Sequence, residues 1–245
     1  MKTKKRKIIE FNFGIIIIAI TVTVIAITML KYSVEGEKDM PYVVKQMVTI
    51  STANGKNIPT EENKWNIDIY QNNDIYIEIA RNTKYKTNEV LKNIKIESIQ
   101  VEPTGAYTPK VYIPDIKSTN MFEYIQENEI SKEISYTIES SQNIKERKIT
   151  TEGGILALSI CIPELGKYQG NEEKMTYDGT LLNKIGITKQ DITTNVKFNL
   201  IIETESSKKY KAEIEVTLPE EDITQIGIDK KENTTLENII FKRIN

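Results

Sequence analysis

Any chemistry in this 245-residue chain must be done without histidine, since none is present, and with a single thiol, Cys161. That removes the usual general base, the Ser–His and Cys–His nucleophile pairs and the commonest metal ligand. Carboxylates remain. The densest groups are Glu172-Glu173 with Asp178, and Glu220-Glu221-Asp222 after Pro219. Paired carboxylates can hydrolyse glycosidic bonds, and oxygen-rich clusters can hold calcium. Neither group has the spaced Asp/Asn ligands around a central glycine that a calcium loop needs, so no metal and no cofactor is expected. Cys161 follows Ala157 and Ser159 in an apolar run, where a thiol acts as a small apolar filler. No Ser-x-x-Lys opens a helix, since Ser141 and Lys145 are four apart, and Gly153-Gly154 precedes a strand instead of cradling phosphate.

Four tyrosines are the candidates for binding. Tyr70 and Tyr76 alternate with apolar neighbours and face outward, while Tyr107 and Tyr112 lie in a proline-rich stretch. Exposed rings at a sheet surface can stack on sugars or anchor a protein. Tyrosine also suits ordinary half-buried strand positions. Tyr70, Tyr76, Tyr107 and Tyr112 are the expected binding residues, and no residue is expected to be catalytic.

The elements that carry these side chains read as strands. In WNIDIYQ, Trp65, Ile67 and Ile69 share a face and Asn66, Asp68 and Tyr70 the other; DIYIEIA repeats the alternation with Ile75, Ile77 and Ile79. Asn72-Asn73 between them tolerates a left-handed turn, so a hairpin is expected there. Trp65 is expected to anchor the core. A second hairpin pairs Val196, Phe198, Leu200 and Ile202 with Tyr210, Ala212, Ile214, Val216 and Leu218 across the polar stretch 203–209. Weaker strands fall at 42–50, 92–101, 133–139 and 155–162. Apolar parity switches between Ile96 and Ile99, which predicts a bulge, and ILALSICI at 155–162 is apolar on both faces, as a central strand is. Short helical turns are expected after Asn120 (with Glu123), Thr180 and Thr188 (with Asp191). Pro103, Pro109 and Pro114 mark a long loop or an edge. Many short strands and little helix predict an all-β fold, an immunoglobulin-like β-sandwich.

Phe11 to Leu30 is twenty residues without a charge, about 30 Å as a helix and long enough for a bilayer core. Lys2, Lys4, Lys5, Arg6 and Lys7 precede it and only Lys31 closely follows, which leaves the N-terminus in the cytoplasm. A cleaved signal peptide, cut near Val34-Glu35-Gly36, is the competing reading, but the apolar run exceeds the ~7–15 residues of a signal core. The expected organisation is a basic cytoplasmic tail (1–10), a transmembrane helix (11–30), a spacer (31–41) and an extracytoplasmic β-sandwich (42–245). A division into two units, about 42–115 and 130–245, is the alternative. Six of the 33 basic and one of the 35 acidic residues precede residue 32, leaving 27 against 34, or −7, for the remainder. Such a surface repels phosphate backbones and speaks against nucleic acid.

The basic start, the Ile-rich anchor, KYSVEGEKDMP and then NKWNIDIYQNNDIYIEIARN resemble uncharacterised single-pass membrane-anchored surface proteins of low-GC Gram-positive bacteria over most of the chain. The resemblance implies a bacterial plasma membrane and an extracytoplasmic domain, and carries no catalytic residues. The expected function is a membrane-tethered, non-enzymatic binding or scaffolding module at the cell envelope. Its partners would be the lipid bilayer through residues 11–30 and a cell-wall polymer or envelope protein. The alternatives are a histidine-free wall glycan hydrolase using Asp and Glu, and an accessory subunit of an envelope secretion or assembly complex.

Overall fold

The computed structural model describes residues 18–28, 40–58, 65–84, 88–114, 126, 129–130, 133–138, 146–170, 178–233 and 239–244. The fold is all-β. Its strands are β1 (Tyr42–Asn57), β2 (Trp65–Arg81), β3 (Leu91–Pro103), β4 (Lys110–Tyr112), β5 (Glu133–Thr137), β6 (Glu146–Lys148), β7 (Gly153–Gly170), β8 (Thr194–Thr204), β9 (Lys209–Leu218), β10 (Ile228–Asn233) and β11 (Lys242–Arg243). Helical turns are α1 (residues 18–28), α2 (Leu181–Lys184) and α3 (Lys189–Ile192). One sheet has the order β10-β1-β2-β7-β4 and the other β11-β9-β8-β3-β5-β6. Pairing is antiparallel except between β5 and β6. Both sheets draw strands from either side of the proline-rich stretch.

Period-two alternation builds the shared core. Ile75, Ile77 and Ile79 of β2 point one way, and pack with Leu156 and Leu158 of β7 against Ile94, Ile96 and Phe198 of the second sheet. At their far ends the first sheet's long strands pass beyond the second sheet. There Ile67, Ile69 and Ile162 pack instead on Leu181 and Leu182 of α2 and Ile192 of α3. Between the two cores lies a polar belt. Ser51 Oγ donates to Asn73 Oδ1 at 2.7 Å and Gln71 Nε2 donates to the same oxygen at 2.5 Å, all three side chains being buried. Buried polar groups persist when so satisfied.

That belt corrects one expectation. Asn72-Asn73 is not a turn but the middle of β2, a single strand of 17 residues. Backbone pairing with β1 on one side and β7 on the other runs through both asparagines, so their turn preference is overridden by two ladders. Trp65 is also not the core anchor: it is half-buried at the margin of the smaller core, at the end of β2 opposite Gly170. The expected β8–β9 hairpin forms, with Phe198 opposite Ile214. The predicted bulge in β3 lies between Glu97 and Gln100, with Ser98 at φ 56°. α2 and α3 occur where expected, Asp191 accepting from the Thr188 N–H at 2.9 Å. The turn expected after Asn120 lies outside the described residues.

β7 is longer than expected, and β4 covers only three of its residues. Beyond β4, Tyr136 of β5 reaches across from the second sheet. Its hydroxyl donates to the Ala157 carbonyl at 2.7 Å and accepts from the Ala157 N–H at 2.8 Å. One side chain thus satisfies both backbone groups of an open sheet edge. Tyr136→Phe keeps the ring and loses both bonds. It should lower unfolding free energy in urea by about 2 kcal/mol; no change in the urea midpoint would contradict this bridging role.

A buried carboxylate on the outer face of the first sheet

Residues opposite one another in an antiparallel ladder share a face. Asp74 of β2 stands opposite Ser159 of β7, which stands opposite Tyr112 of β4. The next row is Asn72, Cys161 and Lys110. These residues alternate with Ile75 and Ile77 and with Leu158 and Ile160, so they project away from the shared core. Even so, Asn72, Asp74, Tyr112, Ser159 and Cys161 are all fully closed to solvent.

At the centre, Ser159 Oγ donates to Asp74 Oδ1. Oδ2 of Asp74 is buried without a partner, and so is the Tyr76 hydroxyl two residues along the strand. Burial drives the Asp74 carboxyl up to about 7, the Ser159 bond opposing in part. Burial and then the Asp74 charge push Tyr76 up to about 12, and move Tyr112 and Cys161 upward as well. Near neutrality the phenols and the thiol therefore keep their protons, and Asp74 is the member that exchanges one. The cluster can hold or release a proton; a raised thiol pKa disfavours nucleophilic chemistry at Cys161.

The structure brings three of the four expected binding tyrosines to this face. Tyr70 and Tyr76 flank Asn72 and Asp74 on β2, both half-buried. Tyr112 is not the exposed loop ring expected: it is fully buried on β4, in the row of Ser159 and Asp74. Tyr107 lies apart, half-buried against the smaller core, its hydroxyl donating to the Leu165 carbonyl at 3.2 Å.

The acidic groups serve turns. Asp178 accepts from the Thr180 N–H at 3.0 Å and hydroxyl at 2.6 Å and pairs with Lys184 at 3.1 Å, contacts that hold its carboxyl well below the usual range. Asp222 accepts from the Thr224 N–H at 2.9 Å, and Glu221 pairs with Lys231 at 3.0 Å. Glu172 and Glu173 lie outside the described residues. Among the described residues no three Cys, Asp or Glu side chains converge as metal ligands. Asp74 was missed by sequence reasoning, although the polar run QNND at 71–74 interrupts an alternation whose parity continues unbroken into Ile75. No protein-family model, no curated protein and no solved structure matches the chain.

Proposed function

We propose that the chain is a single-pass membrane protein whose β domain lies outside the cytoplasm and binds a partner at a bacterial cell envelope. The observation that carries this reading is the surface of α1. None of its eleven residues is buried against the rest of the chain, and Ile18, Ile20, Val22, Val24, Ile25 and Ile27 are each exposed by half or more. Leaving such side chains in water forgoes about 1.5–3 kcal/mol apiece, a cost that lipid removes. Thr23 and Thr28 donate their hydroxyls to the carbonyls of Ala19 and Val24 at 2.8 and 2.7 Å, which suits polar groups in hydrocarbon. Among the described residues no helix is long and apolar enough to cross a membrane. The uncharged run from Phe11 to Leu30 that contains α1 would reach roughly 30 Å as a continuous helix.

The basic residues before that run support a cytoplasmic N-terminus. Two antiparallel sheets with a shared core support an immunoglobulin-like sandwich, and the resemblance to Gram-positive surface proteins fits the same placement. For binding, the half-buried Tyr70 and Tyr76 on the outer face of the first sheet are the surface of choice. Full-length chain in detergent, used as bait in envelope extracts of a Gram-positive bacterium, should retain a specific wall polymer or protein. Tyr70→Ala with Tyr76→Ala should weaken retention at least about tenfold, the loss of roughly one aromatic anchor. Equal retention by the double variant would remove this surface, and no retention above an unrelated anchored bait would remove the binding reading.

A further inference from the structure

We propose that the tethered half of the second sheet's outer face docks on anionic lipid headgroups of the bilayer that holds α1, a proposal that rests on α1 being a membrane anchor. Residues 31–41 alone separate the uncharged run from β1, a reach of about 40 Å at full extension. β1 starts at Tyr42, opposite Arg81 at the end of β2. Arg81 Nη1 donates to the Glu89 carbonyl at 3.2 Å, and the Glu205 N–H donates to the Val90 carbonyl at 2.9 Å. The start of β3 and the β8–β9 turn therefore lie at the tethered end. β2 runs about 55 Å away from it, so the tether sets a near and a far half.

The outer face of the second sheet divides its charges along the same axis. Lys209, Glu203 and Asn93 form its first outward row, and Lys242, Lys211, Ile201 and Lys95 the next. Lys92 joins them through its bond to Glu203 at 2.8 Å. Among the described side chains the near half of this face thus sets five lysines against the single acid Glu203. The far half reverses the balance, with Glu97, Glu102, Glu133, Glu213 and Glu215 against Lys197. In the turns at the tethered end the described charges cancel, Arg81, Lys84 and Lys208 against Glu89, Glu152 and Glu205. The acidic turns at Asp178, Asp191 and Glu220–Asp222 all belong to the far half.

Lys211 and Lys242 stand directly opposite one another, and neither has a salt bridge among the described residues. Like charges so placed are destabilising, a cost that a bound anion removes. Lysine on an edge strand also guards against stray strand pairing, but Lys92 and Lys95 lie on β3, an interior strand. Two residues on from Lys242, Ile244 is 54% exposed, its N–H donating to the Lys209 carbonyl at 2.8 Å. An apolar side chain among lysines suits the boundary between headgroups and acyl chains. Each lysine brought to an anionic surface favours docking by about fivefold. In this pose the first sheet's outer face, with Tyr70 and Tyr76, is turned away from the bilayer and open to a partner.

The test uses the full-length chain in lipid nanodiscs, of phosphatidylcholine alone or mixed in roughly equal parts with phosphatidylglycerol. Acetylation by a water-soluble succinimidyl ester is read lysine by lysine by mass spectrometry. Co-elution with phosphatidylcholine discs tests the anchor by itself; without it the anchor fails, and the docking with it. In co-eluting samples Lys95, Lys209, Lys211 and Lys242 should react at least about threefold more slowly in the anionic discs. Lys184 and Lys197, in the far half, should keep their rates, and about 0.5 M sodium chloride should erase the difference. Lys211→Gln with Lys242→Gln, surface changes that also remove a like-charge pair, should return Lys95 and Lys209 to their phosphatidylcholine rates. Equal rates in the two kinds of disc, or equal slowing of Lys184 and Lys197, would overturn the docking and leave the anchor standing. So would equal protection in phosphatidylcholine discs by soluble poly(glycerol phosphate), which would assign the face to an anionic polymer.

Discussion

Replacing Ile20 and Val24 with lysine together should move the chain from the membrane fraction to the soluble fraction or to degradation. Both positions lie near the middle of the uncharged run from Phe11 to Leu30, one helical turn apart on the same side of α1. A lysine at the centre of a spanning helix costs about 2.5–3.5 kcal/mol where isoleucine or valine contributes a few tenths favourably, so the pair amounts to about 6 kcal/mol. That is enough to abolish insertion of a single span. Carbonate-resistant pelleting of bacterial membranes reads the outcome, with Ile20→Leu and Val24→Leu as the control that should pellet normally. Should the double lysine variant remain carbonate-resistant, α1 does not lie in hydrocarbon.

The second large effect concerns the stability of the whole domain. Burial raises the Asp74 carboxyl from 3.8 to about 7, so the native state binds a proton that the unfolded chain releases. Its contribution to stability is complete below about pH 4, falls as pH rises, and is gone above about 7. The shift corresponds to about 4 kcal/mol, a large part of a typical domain's stability. Urea unfolding of the wild type between pH 5 and 8 should show the free energy declining as pH rises. Asp74→Asn, which cannot ionise, should flatten that profile and match or exceed the wild type at pH 8. A wild-type profile that rises with pH over this range, or a variant with the same slope, would mean that Asp74 is not the buried ionisable group described. Surface carboxylates such as Asp178 and Asp191, held below the usual range by their turn bonds, act in the opposite sense and mainly at lower pH.

How much of this was legible follows from where burial is decided. The β8–β9 hairpin is readable because apolar residues alternate along both strands and a polar run joins them; local pattern and tertiary structure agree. The bulge at Ser98 is likewise written in the parity switch from Ile96 to Ile99. β2 is the instructive failure. Trp65, Ile67, Ile69, Ile75, Ile77 and Ile79 all keep odd parity, which a continuous strand requires, but Asn72-Asn73 carries a strong local turn preference. Two flanking ladders decided the contest, and ladder partners far apart in sequence leave no local trace. The polar belt of Ser51, Gln71 and Asn73 also made β1 and β2 look shorter than they are. Asp74 reads as a solvent-facing position from alternation alone, and its row partners Tyr112 and Ser159 lie 38 and 85 residues further along. Tyr112 was misplaced for the same reason, since three residues between prolines do not announce an edge strand.

The central claim is that α1 belongs to a membrane anchor with the β domain beyond it, and it is tested most directly by topology. A short epitope after Asn245, in protoplasts of a Gram-positive host, should be removed by protease added outside while a cytoplasmic marker stays intact. An epitope that survives until the cells are lysed would put the β domain on the inner side and contradict the account.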